Sequence, residues 1–257
     1  MRFDWYAATI EASPEDVLTV LSTMLGGDAV RTNGFHGYEM GYEIRSKYGI
    51  VARALVGGKN GNPHAWASGE NTEEFVYAVR GHWPADHRVT RLDSAEDFQE
   101  PGAWDKLSRA ALSVADDLNL KVMHAGDFHR GKDGRTLYIG SRKSDSFVRV
   151  YEKGKQVLRD DPDLAGSVSP DWVRVELQLR PLKGARRRAA GASPLDAWGY
   201  TSTGRAVAER VLGQVPPFLA MTGDRKTEDE RAFRWLCKQY GKVVARIAER
   251  EGGWDRL

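Results

Sequence analysis

Arg2-Phe-Asp-Trp-Tyr-Ala-Ala-Thr-Ile10, followed by Ser13-Pro-Glu-Asp-Val-Leu-Thr-Val-Leu-Ser-Thr-Met-Leu-Gly-Gly27, reads as a strand running straight into a helix. Aromatic and β-branched side chains suit the first segment to a pleated strand. Ser13 stands as the N-cap of the second, with Pro14 at the first helical position and Glu15 and Asp16 in the first turn. Val17, Leu18, Leu21 and Leu25 recur at helical spacing, and Gly26-Gly27 stops the helix. Strand-like segments follow. Tyr38, Met40, Tyr42 and Ile44 alternate, residues 50–56 are apolar around Arg53, and residues 64–68 form a shorter run. The glycine-rich residues 57–62 lack phosphate-loop spacing and read as a hairpin loop. A second helix carries Asn71 or Thr72 at its cap and Phe75, Val76 and Val79 inside.

At residue 87 the same order begins again. Residues 87–93 read as a strand, and Trp104, Leu107, Ala111, Leu112, Ala115 and Leu118 recur at helical spacing. Further strands are expected at 121–128, 136–140, 147–153 and 172–180, with Asp133-Gly134 as a tight turn between the first two. Beyond Pro181 the chain reads as helical. Residues 184–193 are the expected flexible segment. A last helix places Phe233, Leu236, Cys237, Tyr240, Val244 and Ile247 on one face, with Cys237 in a core. The class is α+β: a mainly antiparallel sheet covered by helices, an internally duplicated strand–helix–strands unit, and a helical C-terminus. Residues 1–182 form the expected catalytic core, and residues 183–257 a helical part packed on it as one structural unit.

The chain has 257 residues, 41% hydrophobic and 29% charged, a globular composition that excludes wholesale disorder. No apolar run is long enough for a membrane helix, and a lone Cys237 excludes an internal disulfide. The expectation is a soluble, cytoplasmic protein without a membrane partner. The net charge of +2 hides an uneven distribution. From Arg130 to Lys155 eight basic residues face three acidic ones, and from Arg174 to Arg188 six face one, so each stretch nets +5. The remainder carries −8. Basicity concentrated in this way fits either a polyanionic partner or two solvated faces.

Strand alternation puts Phe147, Arg149, Tyr151 and Lys153 on one face and Val148 and Val150 on the other. A phenol between two cations suits a nucleophile that attacks DNA phosphate, since cations lower its pKa and hold the phosphodiester. An ordinary exposed strand face has the same spacing. Three carboxylates on strand-like segments are candidates for holding Mg²⁺ or Mn²⁺: Asp4, Asp93 and Glu176. Glu176 lies on the polar face of residues 172–180 with Trp172, Arg174, Gln178 and Arg180. Asp97 is a further acid within reach. The six histidines include no pair suited to a histidine-dyad metal site. Arg142, Lys143, Arg174, Arg180, Lys183 and the run Arg186-Arg187-Arg188 are the candidate DNA contacts.

These residues together resemble the replication initiation factor family, which includes plasmid rolling-circle initiators, relaxases of integrative conjugative elements and phage proteins. The motifs are Tyr138-Ile-Gly-Ser-Arg-Lys-Ser144, Arg149-Val-Tyr-Glu-Lys153, Arg91-Leu-Asp93, Arg174-Val-Glu176 and, more loosely, Phe3-Asp4 through Thr9-Ile10. The resemblance spans the chain from its N-terminus to about Arg180. It implies a DNA strand transferase in which Tyr151 becomes linked to the 5′ phosphate, assisted by Arg149 and Lys153, with Asp93, Glu176 and Asp4 on a divalent ion. The implied partner is a replication origin presented single-stranded or as a hairpin, and the resemblance extends to a homodimer and a host helicase. A conjugative relaxase with the same chemistry and a non-catalytic DNA-binding relative are the alternatives.

Overall fold

In the computed structural model, which describes residues 1–221 and 228–251, the strand–helix opening forms as read. Strand β1 (Arg2–Ile10) leads into helix α1 (Pro14–Leu25). The Ser13 hydroxyl accepts the Asp16 amide, and Gly26, at φ +61°, ends the helix in the left-handed region that glycine adopts without strain. The first half continues through β2 (Asp28–Asn33), β3 (Met40–Ser46), β4 (Gly49–Val56), β5 (His64–Ser68) and α2 (Thr72–His82). The second half comprises β6 (His87–Phe98), α3 (Ala103–Asp117), β7 (Val122–Gly126), β8 (Arg135–Ile139), β9 (Ser146–Tyr151), α4 (Lys153–Asp160) and β10 (Val173–Leu179). Helices α5 (Pro194–Gly199), α6 (Ser202–Arg210) and α7 (Glu228–Glu251) follow.

One antiparallel sheet joins the ten strands in the order β2-β3-β4-β5-β1-β6-β10-β9-β8-β7. The duplication is plain in this order. Each half starts at the centre, β1 or β6, crosses a helix to the sheet edge, and returns strand by strand. Helix α4 breaks the symmetry, because the first half has only a loop where it lies.

Helix α1 packs on β3 and β4, α2 on β1 and β5, α3 on β8, β9 and β10, and α5 on β6 and β10. They cover one face over a core that includes Tyr6, Leu21, Phe75, Leu92, Leu107 and Trp198. Two large polar side chains inside it find partners, as burial requires: the Tyr6 hydroxyl lies 2.9 Å from His87 Nε2, and Trp198 donates to Ser94 Oγ at 2.9 Å. The opposite face carries the polar side chains of β1, β6, β9 and β10.

Several expectations are corrected. The connection between β7 and β8 is not a two-residue turn. Gly134 does take a positive φ of 81°, but the Asp127 carboxylate gathers the amides of His129, Arg130 and Lys132 and builds a longer loop. Residues 184–193 are not a loose tether: two short helical turns there bury Ala185, Ala189 and Ala190. Lys153 does not extend β9 but opens α4. The chain divides into two compact units, Met1–Met221 and Thr222–Leu257. In the second, Cys237 is exposed and not a core residue, and Leu236 and Tyr240 on the same face are also exposed. The side chain of Phe233 lies outside those described. No helix among the described residues is long and apolar enough to cross a membrane.

Candidate active site

Val148 and Val150 are fully buried against the helices, which turns Arg149 and Tyr151 to the open face. Glu176, opposite Arg149 in the β9–β10 register, is fully buried beneath them. Its Oε2 accepts the Tyr151 hydroxyl at 3.0 Å, and its Oε1 accepts Arg149 Nη2. The phenol is therefore in direct hydrogen-bond contact with a buried carboxylate, and itself stands on the wall of a cleft of about 450 Å³, which Asp4, Arg135, Tyr138, Arg149 and Lys153 also line.

Around this pair the side chains are braced. Arg174 is buried and grips Asp97 through Nε at 2.7 Å and Nη2 at 2.9 Å, while its Nη1 donates to Asp4 at 2.6 Å. Trp172 donates its indole N–H to the same Asp97 at 2.7 Å. Asp93, buried on β6, is held by Arg91 through Nε at 3.0 Å and Nη2 at 2.5 Å. Burial pushes the Asp93 carboxyl up to about 7, against the pull of Arg91 and with the help of Glu176. Burial also raises Asp4 against Arg174, and lowers Lys153 with a further contribution from Arg174.

The expectation that flanking cations lower the Tyr151 pKa is reversed. Burial raises it, Glu176 raises it further, and Arg174 and Arg149 do not compensate. Tyr151 is a phenol at neutral pH. The three-carboxylate metal set is not assembled either. Each of Asp4, Asp93 and Glu176 already neutralises an arginine, and among the described residues no three acidic, histidine or cysteine side chains converge on a point that would hold an ion. The residues as arranged do not fit that centre.

The basic candidates divide. Arg142 and Lys143 are exposed in the β8–β9 hairpin, where Arg142 lies over the Tyr138 ring and Arg180 donates to its carbonyl. Lys183 is also exposed. Arg174 is a buried brace instead of a DNA contact. Arg186 donates to the Pro181 carbonyl, Arg187 pairs with Glu11, and Arg188 donates to the Ala220 carbonyl. Glu152 was missed. It accepts the Arg135 amide and guanidinium and the Lys155 ammonium, fixing the turn just after Tyr151. Alternation gave a signal for it: position 152 falls on the valine side of β9, where an acid needs partners.

Residues 87–187, the second half of the duplicated sheet with its site, match the family model of the replication initiation factors, the family that the sequence motifs resemble. The match begins at β6, so the looser N-terminal motif lies outside it. Among solved structures, the chain is similar to the rolling circle replication initiator protein from Geobacillus stearothermophilus, with 22% identity and a TM-score of 0.49 over 69% of this chain and 73% of that one. No curated protein matches the chain.

Proposed function

We propose that the protein initiates rolling-circle replication by cutting and rejoining one DNA strand through Tyr151. The observation that carries this reading is the 3.0 Å hydrogen bond from the Tyr151 hydroxyl to Glu176, in an open cleft lined by cations. A phenol whose pKa is raised needs a base, and Glu176 stands within the reach that proton transfer requires. As the Tyr151 oxygen bonds to phosphorus, its proton passes to Glu176 Oε2. The bond from phosphorus to the 3′ oxygen breaks, that oxygen takes a proton from water, and the 5′ phosphate remains on Tyr151. Attack by a 3′ hydroxyl reverses each step, so one phosphate ester is exchanged for another and none is lost to hydrolysis. Arg149 and Lys153 offset the charge on the non-bridging oxygens. A divalent ion among Asp4, Asp93 and Glu176 would require their arginines to withdraw, and no step here runs through one.

The test is a covalent adduct. Purified protein, with and without Mn²⁺, should convert supercoiled plasmid carrying its origin to nicked circles that retain protein through denaturation. Tyr151→Phe should abolish the adduct. An adduct of equal yield from Tyr151→Phe removes the assignment, and DNA binding with no adduct in the parent leaves a binding protein.

A further inference from the structure

The register carries the duplication down to single positions. Trp5 and Asp93 face each other where the two halves meet, so the halves exchange about this pair. Ala7 pairs with Trp66 in the first half as Ala95 pairs with Glu176 in the second. One strand further out, Arg53 and Leu55 pair with Trp66 and His64, as Arg149 and Tyr151 pair with Glu176 and Arg174. Leu55 thus takes the place of the nucleophile and Trp66 that of the base. The first half cannot cut, yet it keeps a hollow of about 350 Å³ at the corresponding place.

We propose that this hollow, lined by Trp5, Phe35, His64, Trp66 and Arg91, holds an unstacked base of the DNA strand whose phosphate lies at Tyr151, an inference that rests on the nicking reading. The rings are contiguous, with Tyr38, His64 and Trp66 each inclined by about 30° to the next and Phe35 upright at their edge. Phe35 meets Trp66 edge-on with centroids 6.0 Å apart, His64 lies 6.0 Å from Trp66 at 32°, and Tyr38 stacks on His64 at 6.2 Å. Folding does not account for them. Ala65 and Ala67 are the residues of β5 that enter the core, while Phe35 remains 45% exposed. Burial lowers the His64 pKa to about 4, so its ring is uncharged at neutral pH and adds to the apolar surface. Arg91, paired with Asp93, lays its guanidinium 4.3 Å over the Trp5 ring at the rim, and the Trp5 indole N–H is buried without a hydrogen-bond partner. Aromatic platforms beside cations take bases by stacking, which requires that the base be unpaired. The hollow shares a sheet face with Tyr151. From β1 to β9 is three strand spacings, roughly 14 Å, so one single strand reaches both.

The full chain, bound to fluorescein-labelled dT20 and to an abasic oligomer of equal length, tests this by anisotropy. Trp66→Ala should weaken dT20 binding about 5- to 100-fold, leave the abasic oligomer unaffected and keep the salt slope, whereas Trp66→Phe should bind dT20 nearly as the parent does. Unchanged dT20 binding by Trp66→Ala, or equal loss with both oligomers, overturns the proposal. Should Trp66→Ala fail to fold, photocrosslinking of the parent to a 5-iodouracil oligomer decides: adducts on Phe35, His64 or Trp66 support the site, and adducts only elsewhere overturn it. Tyr151→Phe should keep the preference for dT20, so a failed nucleophile and a failed base site give different results.

Discussion

At the scale of single residues, the proposed reaction makes Tyr151 the nucleophile and Glu176 its base rather than a metal ligand, on the strength of their direct hydrogen bond. Burial is the reason. It raises the phenol beyond what Arg149 and Arg174 offset, and it fixes the carboxylate 3.0 Å from the hydroxyl. Glu176→Gln keeps the shape and removes the proton acceptor. Adduct formation should slow by about 10²- to 10⁴-fold, with DNA affinity retained. The variant's rate should then climb about tenfold per pH unit, because attack now depends on the small fraction of phenolate. Single-turnover rates across pH check this; a flat profile or an undiminished rate would show that the base lies elsewhere. His64 offers a separate check at this scale. Its pKa is lowered to about 4 by burial, with Arg186 and His36 adding to the shift. A histidine that the unfolded chain protonates more readily contributes stability above its unfolded pKa, lost as pH falls through about 6.5 toward 4. His64→Gln should reduce the acid-induced loss over that window by on the order of 2 kcal/mol, measured by urea unfolding at a series of pH values.

Among the elements, β10 does the most to position the site, through Arg174. This one guanidinium ties β10 to Asp97 on β6 and to Asp4 on β1. Arg174→Met would take the nearest cation from two partly buried carboxylates and leave them Arg2 and, for Asp97, the Trp172 indole, so the cost should fall below the roughly 3–5 kcal/mol of a fully buried pair. Burial opposes ionisation of Asp97, yet the hydrogen bonds from Arg174 and Trp172 hold its carboxyl below the usual range. That contribution is present above the unfolded carboxyl pKa and lost as pH falls through the folded value. The gap in unfolding free energy between parent and Arg174→Met should therefore narrow in acid; a gap that is constant with pH would place the cost in packing instead. The sequence discloses β10 readily, since four apolar residues alternate with polar ones. It discloses β2 poorly, because Asp28–Asn33 is an edge strand whose side chains are largely exposed and carry no apolar alternation. Helix α4 is hidden for a different reason: Tyr151 and Lys153 fit a continuing strand, and the Glu152 contacts with Arg135 and Lys155, which mark its end, join residues whose pairing the strand pattern does not disclose. The residues of the site were legible as chemical types on one face. Which cation neutralises which acid, and hence the partners of Glu176, depends on strands distant in sequence and is set by their register.

For the molecule as a whole, the duplication raises the question of whether the two halves of Met1–Met221 fold as two domains or as one. The strand order answers it. The halves meet at their central strands β1 and β6, paired along nearly their whole length, and not at an edge. Helix-side contacts cross the same seam, for Tyr6 of the first half reaches His87 of the second and the carbonyl of Ala190. Separating the halves would expose the central strands β1 and β6 along nearly their whole length, so neither half has a stable state that the other does not share. Stability should instead grade outward from the seam. Amides of β1, β6 and β10 should exchange hydrogen only through global unfolding, at a free energy in the range of about 5–15 kcal/mol. Those of β2 and β7, the two edges, should exchange through local opening at a much smaller cost, because their side chains are mostly exposed and one side of each is unpaired. Native-state hydrogen exchange read by mass spectrometry checks the gradient. Symmetric protection falling from the centre to both edges is the expected result. Loss of one entire half before the other, β1 with β2 or β6 with β7, would mean that the duplicated units fold apart, and the site could then not depend on contacts such as Arg174 with Asp4 that cross between them.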